Sequence, residues 1–248
     1  LTMQIRYLSR ADVESLAVPM ADIIEVVEEG FRRKGMGETQ MPPKIAIHSR
    51  PGEAFLHAMP AYIGGLDIAA VKWVGGNEAN LERGLPNITG LIVLNDPETM
   101  VPLAIMDGSW ITAMRTGAAN AVAMKYLGPA SPRTVAVVGC GVQGRSNLLA
   151  MLTRYPGIVR VCCYDVIPQA LVAFIRDAES SHAGVEFVAA AGPRAGFYAN
   201  AFKGIAIEID VPEVQIKKVV YTNTLPQIDD IPISENIETV LTTKLKCW

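Results

Sequence analysis

Apolar positions recur along this chain with two different periods, and the change from one to the other marks its organisation. In SRADVESLAVPMADIIEVVEEGFRRKGMGE, Val18, Met20, Ile23, Ile24, Val27 and Phe31 fall near helical spacing behind Ser9, a residue suited to an N-cap, and Gly35 and Gly37 stop the pattern. The spacing predicts one amphipathic helix. From Ile45 to Asp107 the runs shorten and gain β character: KIAIH, AFLHAMPAYI, DIAAVKWVGG, TGLIVLN and VPLAIMD. Asp96, Pro97 and Glu98 supply the turn chemistry of a hairpin between the last two. The expected product is a mostly antiparallel sheet with a helix packed on it.

A second helix is predicted in SWITAMRTGAANAVAMKYLG, capped by Ser109, stopped at Gly128 and rich enough in alanine to pack closely against a neighbour. GPASPRT follows as the best linker candidate. Beyond it TVAVVGCG, IVRVCCYD and VEFVAAA have the continuous apolar character of buried parallel strands, separated by helical stretches over 143–152 and 168–180. KGIAIEID and KKVVYTN are candidate further strands, whereas GPRAGFYANAF and the tail from Thr224 carry no pattern that assigns them. The fold class expected is α/β, with an N-terminal α+β domain over 1–128, a Rossmann-like parallel-sheet domain over 129–224, and an unassigned C-terminal segment over 225–248.

Composition narrows the function classes. With 248 residues, half of them hydrophobic, the chain can bury a sizeable core, and a formal charge of −3 leaves no basic stripe for nucleic acid or anionic membrane. No apolar run approaches the ~20 residues of a membrane span, and the N-terminus lacks the apolar region of a signal peptide. Cys140, Cys162, Cys163 and Cys247 suit neither a zinc site nor a disulfide framework, so a reduced, cytoplasmic setting is expected.

Chemistry concentrates at VVGCGVQGRSN. Gly139, Gly141 and Gly144 fit G-x-G-x-x-G between a β-branched strand and a helix: the first permits a tight turn, the second a close approach of pyrophosphate, the third helix–strand packing. Unpaired N–H groups at the helix start suit the phosphates. Asp165 ends the second strand about twenty residues on, where a carboxylate binds ribose hydroxyls and repels a 2′-phosphate. That favours NAD over NADP, with Arg145 the one residue arguing the other way. The bland reading is a glycine-rich turn beside a solvated acid.

In the first domain, Arg115 stands near the start of the alanine-rich helix, a good place for a bidentate carboxylate contact, although a solvated or surface-paired arginine is the simpler reading. Lys72 shares a strand face with Ile68, Ala70 and Val74, so period-two logic puts a lysine on an apolar face. A desolvated lysine suits acid or base work; an edge-strand gatekeeper is the competing view. Lys44, after the double proline at 42 and 43, and His57, in FLHAMP, sit on or before strands able to line the same cleft. For His57 a hydrogen-bonded core or surface histidine is the plainer alternative.

Taken together, MPPK, FLHAMPAY, VKWVGGNEAN, GLIVLNDPETMVPLAIMDG, ITAMRTGAANAVAMKYL and VVGCGVQGR, in this order and spacing, resemble the ornithine cyclodeaminase and μ-crystallin family over about residues 1 to 180. The resemblance implies a homodimer whose first domain forms the substrate pocket and the subunit contact, and whose second binds NAD. It implies that Lys44, Lys72 and Arg115 hold the carboxylate of a small amino acid or cyclic imine, with His57 beside them. Gly139, Gly141, Val142, Gln143, Gly144 and Asp165, with Thr116, would then contact the cofactor. The implied reaction is hydride transfer between the substrate α-carbon and the nicotinamide, with cyclodeamination or oxidative deamination as outcome. Net amino-acid dehydrogenation, ketimine reduction, and ligand binding without turnover remain as alternatives.

Two departures bear on the substrate and on turnover. His57 stands where ornithine-acting members place a carboxylate. The family's catalytic aspartate has its nearest match in Asp210, expected to work as acid/base with Lys72; it is followed by Pro212 but lacks the ensuing Gly-Lys, and Asp229 and Asp230 are weaker alternatives. The resemblance also implies a closing segment that returns to the first domain.

Overall fold

The computed structural model describes residues 4–50 and 54–192, together with two strands over 205–210 and 215–221. The chain divides into two compact units, Leu1–Arg115 and Thr116–Trp248.

The first unit is built on a seven-stranded sheet. Its strands are β1 (Arg6–Leu8), β2 (Thr39–Gln40), β3 (Ile45–Arg50), β4 (Ala54–Ile63), β5 (Ile68–Asn77), β6 (Ile88–Asn95) and β7 (Pro102–Asp107). The order runs β1-β7-β6-β5-β4-β2, with β3 also pairing β4. All pairs are antiparallel except β1 with β7, an edge pairing too short to be read from three residues of sequence. The β6–β7 hairpin turns where the sequence places it: the Asp96 carboxylate accepts from the N–H of Glu98 and the hydroxyl of Thr99, closing an Asx-type turn.

The N-terminal helical stretch differs from the single helix expected. It is two helices, α1 (Arg10–Ser15) and α2 (Met20–Gly35). A capping box formed by Ser9 and Asp12 starts α1. Pro19 accounts for the break. It disfavours helical backbone at the residue before it, Ala17 takes a left-handed φ of 47°, and Pro19 itself becomes the N-cap of α2. Gly37, at φ 76°, turns the chain out of α2.

The second unit carries a five-stranded sheet of order β10-β9-β8-β11-β12. Its elements are β8 (Thr134–Val138), α4 (Val142–Arg154), β9 (Arg160–Tyr164), α5 (Pro168–Ser181), β10 (Glu186–Ala189), β11 (Ile205–Asp210) and β12 (Gln215–Tyr221). Strands β8 to β11 are parallel, and β12 returns antiparallel to β11. Strand order reverses at β8, so the end of β8 is the topological switch point where α/β sheets receive ligands. The neighbours Cys162 and Cys163 point to opposite faces of β9 and both are buried, as a parallel strand covered on both sides requires.

Helix α3 (Ser109–Leu127) passes from one unit into the other. The division thus falls inside this helix rather than at the glycine- and proline-rich linker that follows it. The reason is packing. From Thr116 onward α3 buries Thr116, Gly117, Ala118, Asn120, Ala121, Val122 and Met124. Met124 belongs to the core that Val135, Val137, Leu148, Met151, Val161 and Phe174 form around β8 and β9. The C-terminal segment beyond residue 221 lies outside the described residues.

Candidate functional site

In the first unit, the antiparallel register sets which side chains share a face. Lys72 lies opposite Met59 on β4 and Ile92 on β6; its neighbour two residues on, Val74, lies opposite His57 and Gly90. Directly paired residues point to the same side of a sheet, so Lys72 and His57 occupy one face. Helix α3 begins at the end of that sheet. Gly108 N–H donates to the Gly90 carbonyl at 2.7 Å, and the Asp107 carboxylate accepts from the N–H of Ser109 at 2.9 Å and its hydroxyl at 3.1 Å. Arg115 follows within the first two turns and is half-buried.

Lys44, Lys72 and Arg115 converge electrostatically. Burial holds the Lys72 ammonium down at about 7, and the positive charges of Arg115 and then Lys44 push in the same direction. Burial also lowers Arg115, whose guanidinium stays charged at any ordinary pH. Among the described residues, none of the three cations has an ion-pair partner. Desolvated positive charge without compensation is costly, and here it falls on Lys72 and Arg115, while Lys44 is exposed. His57, 8% exposed, stacks on Phe55 with ring centroids 4.5 Å apart and meets His48 edge-on at 6.5 Å.

In the second unit the glycine turn sits at the end of β8. Gly139 has φ 93°, a left-handed backbone that glycine alone takes without strain, and its N–H donates to the Tyr164 carbonyl at 2.9 Å. Gly144 packs so tightly under the turn that a Cβ there would overlap the Gly139 carbonyl oxygen. Gly141 differs from both. Its φ is an ordinary −79°, and a Cβ would meet nothing within 4 Å. Nothing in the described fold needs a glycine at 141, whereas a molecule lying against the turn would.

The helix start offers donors to such a molecule. The first backbone bond of α4 runs from Arg145 N–H to the Gly141 carbonyl at 3.1 Å, and the N–H groups of Val142, Gln143 and Gly144 have no acceptor among the described residues. Val142 is 69% exposed at the head of the helix. Asp165 braces the turn: one carboxylate oxygen accepts from Cys140 N–H at 2.6 Å, the other from Ile167 N–H at 2.8 Å. Each oxygen keeps a further lone pair for a hydroxyl. Sequence reasoning gave Asp165 a ligand role and missed this bracing, for which only its spacing from the turn gave a signal.

Arg145 is tied elsewhere. It pairs with Asp177 on α5 at 3.0 Å and lies over the Phe174 ring at 5.5 Å. Thr116 is buried in α3. Asp210 ends β11, paired with Gln215; Asp229 and Asp230 lie outside the described residues. Among the described residues no cluster of His, Cys, Asp and Glu could hold a metal, and no helix is long and apolar enough to cross a membrane.

The chain is 40% identical to an alanine dehydrogenase of Archaeoglobus fulgidus over 70% of its own length and 52% of that protein's. It resembles the solved Δ1-pyrroline-2-carboxylate reductase of Thermococcus litoralis in complex with NADH and L-proline, with TM-score 0.73 and 35% identity over 77% of this chain and 58% of that one. An archaeal alanine dehydrogenase dimer with bound NAD matches with TM-score 0.72 and 35% identity, covering 78% of this chain and 58% of that one. The chain spans about half the length of the curated relatives it matches. The sequence profile of the ornithine cyclodeaminase/mu-crystallin family matches residues 4–199, from the first strand past the third parallel strand. An α/β chain with this sheet, this unpaired cationic cluster and this glycine turn, matched across that span, belongs to the ornithine cyclodeaminase/mu-crystallin family.

Proposed function

We propose that the protein is an NAD-dependent enzyme acting at the α-carbon of a small amino acid or the corresponding cyclic imine, with cyclodeamination or oxidative deamination as outcome. The observation that carries this reading is the set of three cations, Lys44, Lys72 and Arg115, that share one neighbourhood with no anionic partner among the described residues. Arg115 takes the substrate carboxylate in a two-point contact and Lys44 adds charge from the loop before β3. Lys72, near 7, is part ammonium and part amine at neutral pH, so it can both bind the carboxylate and exchange a proton with the substrate amine. Asp210 is the second acid/base, and His57, being no carboxylate, disfavours a substrate with a second amine to hold.

The turn fits a dinucleotide: open space at Gly141, three available N–H groups for pyrophosphate, and Asp165 for the ribose. When bound, the nicotinamide supplies the hydride acceptor or donor. Gly139, Gly141, Val142, Gln143, Gly144, Asp165 and Thr116 are the residues that hold the cofactor. The Arg145–Asp177 pair favours NAD, because the guanidinium is already engaged and Asp165 would repel a 2′-phosphate.

Pairing of two copies is supported by the sheet face opposite Lys72. Ile45, Ile47, Trp73, Leu91, Leu103 and Tyr7 are all exposed there, between 45% and 73%. Such an apolar face on a monomer is an association surface. A cytoplasmic setting suits the free thiols of Cys140, Cys162 and Cys163, and the net charge of −3 argues against a nucleic-acid partner.

Incubation with NAD and a panel of L-amino acids, and separately with NADH and cyclic imines, tests the proposal. Accumulating NADH marks a dehydrogenase; NADH consumption with a cyclic imine marks a ketimine reductase; ammonia and a cyclic imino acid without net NADH mark a cyclodeaminase. The missing Gly-Lys after Asp210 favours a second reading, a protein that binds NAD(H) and a small acid without turnover. Saturable NADH binding with none of these products would establish it.

A further inference from the structure

Helices α3 and α4 meet backbone to backbone. At Gly117 a Cβ would overlap the Ser146 carbonyl. That approach lets two buried amides join, Asn120 on α3 at 4% exposure and Asn147 on α4 at 7%. The Asn120 amide donates to the Asn147 side-chain oxygen. With its oxygen so engaged, Asn147 turns its NH2 to the Gln143 carbonyl, at 2.8 Å. The Ser146 hydroxyl donates to the same carbonyl at 3.1 Å. Two side-chain donors therefore converge on one peptide oxygen in the first turn of the dinucleotide helix.

The Gln143 carbonyl and the Gly144 N–H are two ends of a single planar peptide unit. Donation to the oxygen polarises that unit and makes its N–H a stronger donor. Gly144 N–H is one of the three groups at the helix start with no acceptor among the described residues. We propose that Asn147, oriented by Asn120, is a positioning residue for the dinucleotide: it loads the Gln143 carbonyl and so strengthens and aims the Gly144 N–H at the pyrophosphate. The proposal rests on the dinucleotide reading above and adds to it a second layer, reaching the phosphates from α3.

Replacement of Asn147 by Thr and by Val separates this role from packing. The two side chains have the same shape, and the threonine hydroxyl can donate to the carbonyl four residues back, as Ser and Thr do in helices. Binding of NADH, ADP and adenosine to the full chain is measured by fluorescence titration and competition, and the Gly144 amide proton shift by NMR. Asn147→Val weakens NADH and ADP about threefold to tenfold, the range of one net hydrogen bond. It leaves adenosine unchanged and moves the Gly144 proton upfield; Asn147→Thr restores both, and Asn120→Leu falls between. Equal behaviour of the Thr and Val variants, or equal loss of adenosine and ADP, overturns the proposal while leaving the dinucleotide site standing. Failure of the unmodified chain to bind NADH overturns both.

Discussion

Replacing Lys72 by methionine, a side chain of similar reach without charge, should make the protein more stable while weakening the proposed carboxylate contact. Burial and two neighbouring cations hold Lys72 at about 7 against an ordinary 10.5. At 1.36 kcal/mol per pKa unit the displacement corresponds to at most roughly 5 kcal/mol against the ammonium form, and relaxation should reduce the realised gain to about 2 kcal/mol. The sign in pH follows from proton counts. Between about pH 7 and pH 10.5 the unfolded chain keeps the Lys72 proton and the folded chain has released it, so stability from this group rises with pH across that window. Below about pH 7 both states are protonated and the penalty is full. Urea unfolding at about pH 6 and about pH 9 measures it: Lys72→Met should exceed the unmodified protein at the lower pH, and the advantage should shrink at the higher. A variant less stable at both, with the pH slope unchanged, would show that Lys72 is favourably paired and that no anion site exists.

Other expectations are as direct. Gly141→Val should leave the melting temperature within a degree or two, since the position is open, but abolish NADH binding; retained binding would place the dinucleotide elsewhere. Gly117→Ala should destabilise the second unit by about 1–3 kcal/mol, because the Ser146 backbone has to retreat, and thermal unfolding with a wild-type midpoint would contradict the close approach of α3 and α4. Binding of an unreactive α-alkyl amino acid should weaken as pH rises above about 7, by up to tenfold per unit, with proton uptake seen by calorimetry in buffers of different ionisation enthalpy. A pH-independent affinity with no proton uptake would remove Lys72 from the site.

How much of this was legible beforehand depended on how local each signal was. The β4–β5–β6–β7 meander followed from alternation and turn residues, both encoded within a few positions. The glycine turn announced itself by spacing: Gly139 and Gly144 each answer a steric demand of the turn itself, and Gly141 is open. Lys72 stood out because a strand's period of two exposes a misplaced charge. Its convergence with Lys44 and Arg115 had no local signature; loops and a helix bring them together, and resemblance alone grouped them. The α1–α2 break was written in Pro19, but the surrounding apolar spacing reads through it. Asn120 and Asn147 were invisible: an isolated asparagine in a helix reads as ordinary, and only the contact between α3 and α4 reveals that each needs the other.

Calorimetric titration of the NADH-loaded protein with an α-alkyl amino acid, and with the amine that lacks its carboxyl group, tests the core of the account most directly when repeated with Arg115→Ala. The amino acid should bind the unmodified protein and the amine should not, and Arg115→Ala should lose the amino acid by a hundredfold or so, about 3 kcal/mol for a charged two-point contact, while keeping NADH. Equal binding of acid and amine, or an Arg115→Ala variant that holds the acid undiminished, would contradict it.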